Sequence, residues 1–292
     1  MFGDGISVLV SLAFGYSRRL RLMHESNWIP DEVQLDRPNV ARMWDYYLGG
    51  AHNFAIDRQA AEQIIRLYPD MPMVAQVTRA FLGRAVRFLL EQRVDQFLDI
   101  GAGIPTAGSV HEIAQRFTPS ARVAYVDNDP VAVAHSQAIL RGTANAAAVR
   151  ADARRPKEIV GHPDVRGVLD WERPIGVLTI AMFHFIPDDM EALGIVRVLR
   201  DAIPAGSYLA LTHASADTVD KASAEQGEQV YQRASAPLHF RSRDRIARLF
   251  EGFEVVDPGL VFIPLWRPET NEDLLLDEPD RSANYAAVGR KL

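Results

Sequence analysis

The sequence predicts an α/β fold: a mostly parallel sheet with helices on both faces, preceded by an N-terminal helical cap. Three observations carry this. Between residues 28 and 91 the apolar positions recur every three or four residues, which is helical spacing. After Gln92 short apolar runs alternate with helical stretches, the pattern of strand–helix units laid into a parallel sheet. The first of those runs, 97–100, leads directly into glycines, where a strand can turn sharply into a helix. The expected division is an extension of unassigned role over 1–27, the cap over 28–91 and the sheet domain over 92–292.

In the cap, Asp36-Arg37-Pro38 predicts a helix start, with a capping acid and a proline in the first turn. Val40, Met43 and Tyr47 then share one face, and Gly49-Gly50 stops the helix. A second helix is expected over 57–68, ended by Pro69. A third is expected over 73–90, where Val74, Val77, Phe81, Ala85 and Phe88 are spaced three or four apart. In the sheet domain, strands are expected over 97–100, 122–126, 147–149, 176–183, 208–212, 253–256 and 284–289. Helices over 110–117, 131–140, 190–203, 216–234 and 244–250 fall among them. A Pro- and acid-rich connection, 264–279, precedes the last strand.

The chain has 292 residues, 48% hydrophobic and 24% charged, which is ordinary globular composition and argues against wholesale disorder. A net charge of −6 weighs against nonspecific binding of phosphate backbones, so no nucleic-acid partner is expected. The absence of cysteine excludes disulfides, thiol catalysis, iron–sulfur clusters and cysteine-ligated zinc. It fits a reducing, cytoplasmic setting. The apolar runs 6–14 and 175–186 fall short of the ~20 residues a membrane span needs. Arg18, Arg19 and Arg21 follow the first run rather than precede it, unlike a secretory signal. No membrane partner is therefore expected.

The loop Asp99-Ile100-Gly101-Ala102-Gly103-Ile104-Pro105-Thr106 is not a full dinucleotide fingerprint, because threonine stands where the third glycine belongs. Pro105 also removes an N–H that a pyrophosphate would use, and no Gly-Lys-Ser/Thr follows. A tight turn alone would explain the two glycines. Three carboxylates at successive strand ends say more. Asp99 just before the glycines would repel phosphate but attract a cation. Asp127 ends the next strand, where an acid can accept hydrogen bonds from both hydroxyls of a ribose. Asp152 ends the third, within reach of an adenine amino group. A ligand with adenosine, ribose and a positive charge but no phosphate fits this set, and S-adenosylmethionine is such a ligand.

The run Arg37-Pro38-Asn39-Val40-Ala41-Arg42-Met43-Trp44-Asp45-Tyr46-Tyr47-Leu48-Gly49-Gly50, with Asn53-Phe54-Ala55 and Asp57-Arg58 after it, resembles the DUF574 family of actinobacterial S-adenosyl methyltransferases. The glycine loop, Val126-Asp127-Asn128-Asp129-Pro130 and His184-Phe185-Ile186-Pro187-Asp188 are similar to that family as well. The resemblance covers residues 28–292. It implies a Rossmann-like class I methyltransferase fold with a seven-stranded sheet, S-adenosyl-L-methionine as cofactor, and an unidentified acceptor, expected to be a small molecule.

The cofactor set expected from residues and resemblance together has two parts. Asp99, Gly101, Ala102, Gly103, Thr106, Asp127, Asn128, Asp152 and Ala153 come from the strand ends. Arg42, Tyr46, Tyr47, Asn53 and Phe54 come from the cap, read as a lid. Aromatic faces can stabilise a sulfonium and Arg42 can pair with the cofactor carboxylate. Packing of three helices is the competing reading of the aromatics. His184, expected at the end of the fourth strand, can act as a base or orient the acceptor; it can equally be a histidine bonded to backbone. His213 at the next strand end shares that ambiguity. No metal-ligand spacing and no nucleophile elbow stands out. The arginine-rich run 240–248 reads as a solvated helix face with Asp244 as its partner. Two other functions remain open at this point: a catalytically silent, cofactor-binding regulatory protein, and a nicotinamide-dependent oxidoreductase, which Pro105 and Thr106 disfavour.

Overall fold

The computed structural model describes residues 34–105 and 108–292. The expected extension 1–27 and Thr106 lie outside the described residues. The cap begins with helix α1, Val40–Tyr47, whose N-cap is Asn39 rather than the expected Asp36: the Asn39 side chain accepts the N–H of Ala41 at 2.8 Å and of Arg42 at 3.3 Å. Helix α2, Ala55–Leu67, starts two residues before the predicted span because Asp57 closes its first turn, accepting the N–H of Phe54 at 2.8 Å. Helix α3, Met71–Glu91, begins with Pro72 in its first turn, where no intrahelical donor is lost.

The sheet domain alternates as expected. β1 is Gln96–Ile100, α4 Val110–Phe117, β2 Arg122–Asp127, α5 Pro130–Ile139 and β3 Ala146–Arg150. Two short helices not seen in the sequence, α6 Pro156–Gly161 and α7 Pro163–Val168, lead to β4, Gly176–Thr179. Then come α8 Asp189–Ala202, β5 Tyr208–Ala214, α9 Lys221–Gln232, α10 Arg243–Ala247, β6 Phe253–Val255, β7 Val261–Phe262 and β8 Asn284–Lys291. The order across the sheet is β3-β2-β1-β4-β5-β8-β6, parallel up to β5 and antiparallel at β8. β5 occupies one edge of β8; β6 and β7 pair with opposite ends of the other edge. The expected seventh position is thus filled by two short strands, and the sheet has eight.

Alternation along the strands splits the core into two layers. Leu98, Ile100, Val126, Val177 and Leu211 face α8, α10 and the short helices. Phe97, Val123, Tyr125, Leu178 and Val288 face α3 and α4. The second layer is completed from the Pro- and acid-rich connection: Trp266 is fully buried, edge-on to Phe81 at 5.1 Å and Phe88 at 5.8 Å. A buried aromatic of this size contributes roughly 1.5–3 kcal/mol. Arg84 of α3 fixes that segment by donating to the carbonyls of Trp266 at 2.8 Å and Ile263 at 3.0 Å.

Three expectations are corrected. The apolar run 176–183 is strand only to Thr179. Ala181 turns left-handed at φ +54°, its N–H donates to Thr212 Oγ1 at 2.8 Å, and a short 3-10 turn, Phe183–Phe185, follows. Periodicity alone cannot separate such a run from a strand. The expected helix 216–234 begins only at Lys221, because Asp220 caps it by accepting the Ser223 N–H at 2.9 Å. The arginine run is not a solvated face: Arg241 is buried and Arg243 donates to the Leu260 carbonyl at 2.9 Å.

Candidate functional site

The loop after β1 folds back over β2. The N–H groups of Gly101 and Ala102 donate to the Val126 carbonyl at 2.8 and 3.2 Å. Gly101 has φ +75°, and a Cβ there would stand 2.7 Å from Met182 Cγ, so both backbone and space require glycine. Gly103 has φ +66° with nothing within 4 Å of where a Cβ would lie, so the loop presents bare backbone to open space. Its N–H donates to Asp127 Oδ2 at 2.7 Å.

Asp127 also accepts the Asp129 N–H at its other oxygen, 2.8 Å away. Each oxygen retains acceptor capacity, since a carboxylate offers about four lone-pair sites. Burial raises the Asp127 pKa, opposed by these backbone donors. Asp99 points to the α3 side of the sheet and is 6% exposed. Burial pushes its carboxyl up to about 7; the charge of Arg79 works against this and that of Asp127 adds to it. Asp152 is bound by Arg154 through both Nε, at 3.0 Å to each oxygen, and Nη2, at 2.6 Å. Burial would raise its pKa, but the Arg154 hydrogen bonds and charge prevail and hold it below the ordinary value.

These groups share one cavity of about 570 Å³ at the carboxyl ends of the parallel strands, where open α/β sheets bind ligands. Of the expected set, Asp99, Gly101, Ala102, Gly103, Asp127, Asn128, Asp152, Ala153 and His184 all line it. Helix α3 runs along one wall, contributing Met71, Val74, Thr78, Arg79 and Leu82. From Met71 to Leu82 the helix rises about 16 Å, so the cavity is longer than its carboxylate end alone. Arg79 was missed in the sequence because nothing in its spacing separates it from Arg84 and Arg87 of the same helix.

The cap residues expected in a lid go elsewhere. Arg42 is 2% exposed and does not line the cavity. Its Nε donates to Asp57 Oδ2 at 2.8 Å and its Nη1 reaches Asp129 Oδ1 at 3.5 Å, while its guanidinium lies over the Phe54 ring at 5.2 Å. Asn53 donates to Asp45 Oδ2 at 2.8 Å and to the Gly50 carbonyl at 3.0 Å. A Cβ on Gly50 would collide with the same Asp45 carboxylate. Tyr47 pairs its hydroxyl with Tyr231 at 3.2 Å, and Tyr46 donates to Glu62 at 3.1 Å. Among the described residues the motif's polar groups thus tie α1, α2 and α5 together; Trp44 is the aromatic of α1 that lines the cavity.

His184 sits in the 3-10 turn after β4, not at the strand end, and is buried. Its Nδ1 accepts the Ala214 N–H at 3.3 Å. Burial, and secondarily the Arg241 charge, pull its pKa down to about 3. The ring is neutral, and with Nδ1 accepting, its proton lies on Nε2. His213 lies within β5, away from the cavity. Its Nδ1 donates to the Ala214 carbonyl at 2.7 Å and its Nε2 accepts from Arg241 at 2.8 Å. Arg241 also donates to Asp189 at 2.7 Å and to the carbonyls of Phe183 and Ile186 at 3.0 and 2.7 Å. It clamps the turn that carries His184. Asp244 is not its partner.

The donor set fits S-adenosylmethionine: bare backbone at the loop, a preoriented carboxylate for a diol, and an acid–arginine pair for the ammonium and carboxylate of an amino acid. Among the described residues no group of three or more His, Cys, Asp or Glu could hold a metal ion, and no helix is long and apolar enough to cross a membrane. A family model described as S-adenosyl methyltransferase matches residues 26–292. A candidate methyltransferase from Thermobifida fusca YX is 37% identical, covering 91% of this chain and 99% of its own, with a TM-score of 0.84. A DUF574 family protein from Streptomyces avermitilis MA-4680 is 36% identical, covering 88% and 98%, with a TM-score of 0.83. No curated protein matches the chain.

Proposed function

The chain belongs to the S-adenosyl methyltransferase family and is an S-adenosylmethionine-dependent methyltransferase, and from that premise we propose which residues do the work. Asp127 takes the ribose hydroxyls, Asp99 the ammonium, and Arg79, in place of the expected Arg42, the carboxylate. Asn128, Asp152 and Ala153 border the adenine, with Ala102 and Gly103 opposite. The observation that carries this is the convergence of three strand-end carboxylates and Arg79 on one cavity.

When bound, S-adenosylmethionine supplies a methyl group on a sulfonium, ready for in-line displacement. The chain's own part is to align the acceptor and exclude water, and such orientation can contribute on the order of 7–11 kcal/mol. His184 suits orientation better than proton removal. Its Nδ1 already accepts the Ala214 N–H, which leaves Nε2–H as a donor. The acceptor is a small molecule: the cavity is walled by α1, α3 and α9, and the acids at its far mouth, Asp70, Asp220 and Asp280, disfavour phosphate polymers. The chemistry fits a cytoplasmic setting, where the cysteine-free chain loses nothing to reduction.

Calorimetric titration with S-adenosylhomocysteine and with NAD+ tests this reading. Binding of the first and not of the second is expected. No binding of S-adenosylhomocysteine, or comparable binding of NAD+, would contradict it.

A further inference from the structure

The cavity continues past the carboxylate end into a second compartment of different chemistry. We propose that the methyl acceptor carries a cationic amine group and that this compartment is where the cation sits, between an aromatic wall and an acidic mouth. The proposal rests on the cofactor assignment above, which reserves the other compartment.

The wall is one packed cluster. Trp44 of α1, Tyr68 before α3, Phe185 of the 3-10 turn and Tyr231 of α9 belong to the same hydrophobic group, and all four line the cavity. Phe185 and Tyr231 lie with ring centroids 5.8 Å apart at 49°. The Tyr68 ring rests on α9, where a Cβ on Gly227 would stand 3.5 Å from its Cε2, an ordinary contact distance. Aromatic faces attract cations, and rings grouped around a pocket are the usual means of holding an ammonium.

Three segments converge at the mouth: residues 68–70 before α3, 218–220 before α9, and 280–284 before β8. They are joined directly. Arg281 donates to Asp70 through Nη2 at 2.7 Å and Nε at 2.9 Å, and Thr218 Oγ1 donates to the Asp280 carbonyl at 3.0 Å. Arg281 is the mouth's cation, and its charge is already matched by Asp70 and by Glu278, 2.5 Å away. Asp220 and Asp280 make no ion pair among the described residues, and neither does Glu228 behind Tyr68. The negative field of Asp220 and Glu228 reaches Tyr68, adding to burial in pushing its phenol up to about 12.

Three ligand classes can be ranked on this surface. An anion would face the exposed carboxylates of Asp220 and Asp280 at the mouth and be repelled, most strongly at low ionic strength. A neutral apolar molecule would gain from the rings alone. A cationic amine with an apolar body gains from both. The mouth lies at the Met71 end of α3, and Arg79 lies two turns, about 12 Å, further along the helix. The amine is therefore a handle that fixes the acceptor's far end, distinct from the atom that receives the methyl.

The test uses the full-length protein saturated with S-adenosylhomocysteine and three probes of equal body: 2-phenylethylamine, 2-phenylethanol and 3-phenylpropionate. The amine is expected to bind at least tenfold more tightly than the carboxylate and severalfold more tightly than the alcohol. Its affinity should fall with added salt while that of the alcohol does not. Asp220→Asn keeps a helix cap. It should cost the amine severalfold in affinity and leave the alcohol and S-adenosylhomocysteine unaffected. Equal affinities for the three probes, preference for the carboxylate, or no amine binding at millimolar concentration overturns the proposal. Failure of S-adenosylhomocysteine itself to bind would instead overturn the cofactor assignment beneath it.

Discussion

Asp127 Oδ2 accepts the backbone N–H of Gly103 at 2.7 Å, so the acid assigned to the ribose also holds the glycine loop on which the nucleoside lies. The two tasks are not separable by deletion. The Asp127 side chain also receives the Asp129 N–H, and an amide would turn its NH₂ toward one of these donors. Asp127→Asn is expected to weaken S-adenosylhomocysteine binding by about 1.5–3 kcal/mol, the scale of hydrogen bonds to charged groups. Calorimetry should show the same loss for 5′-methylthioadenosine, which keeps the ribose. Unchanged affinity for either ligand would mean that the ribose lies elsewhere.

Asp99 sets a pH dependence. Its folded pKa, about 7, lies above the ordinary 3.8, so at pH 5 it is protonated and at pH 8 ionised. An ammonium ligand prefers the ionised form, and S-adenosylhomocysteine affinity should therefore rise between pH 6 and 8. The ligand-free fold responds oppositely. A raised pKa means stability that is full below the unfolded value and is lost as pH rises through the folded one. Asp99→Asn should flatten the binding profile and raise the melting temperature at pH 8 relative to wild type. A profile unchanged by this substitution would remove Asp99 from the site.

Two arginines divide what the sequence assigned to one. Arg79→Gln should weaken S-adenosylhomocysteine at least tenfold and leave 5′-methylthioadenosine, which has no amino-acid end, unaffected. Equal losses for both would indicate a structural role. Arg42→Ala strips the partner from the fully buried Asp57 and should cost roughly 3–5 kcal/mol of stability, as for other broken buried pairs. Denaturant melts give that value, and the surviving folded protein should bind the cofactor product normally.

His184 should not titrate. With Nδ1 committed to the Ala214 N–H and a pKa near 3, its ring is expected to remain the neutral Nε2–H tautomer from pH 5 to 9. Nitrogen-detected NMR of the imidazole reads this directly. A titration between pH 6 and 7 would restore it as a proton acceptor.

Much of the fold was legible because its signals are local. The helix 110–117 stands at its predicted bounds, and the strand 122–126 gains only Asp127, since strand periodicity, turn residues and caps all lie within a few positions of each other. The strand-end acids were legible for the same reason: each follows its own apolar run. What failed is long-range. The 176–183 run reads as strand throughout, yet Thr212, on the neighbouring strand, draws Ala181 out of the sheet. Trp266 reads as loop, although α3 buries it. Arg241 reads as surface because its partners, His213, Asp189 and the carbonyls of 183 and 186, come from three other segments. The cap motif was recognisable as a unit but not in its role: Asn53 bonds Asp45, Arg42 bonds Asp57, and the arginine facing Asp99 comes from a helix with no distinguishing motif.

Carboxylates at adjacent strand ends, with Arg79 opposite, are assigned here to hold a nucleoside bearing an amino-acid tail. A crystal structure with S-adenosylhomocysteine bound tests this assignment most directly. Both ribose hydroxyls are expected within hydrogen-bonding distance of Asp127, the ammonium at Asp99 and the carboxylate at Arg79. A ribose lying away from Asp127, or a carboxylate held by Arg42, would contradict it.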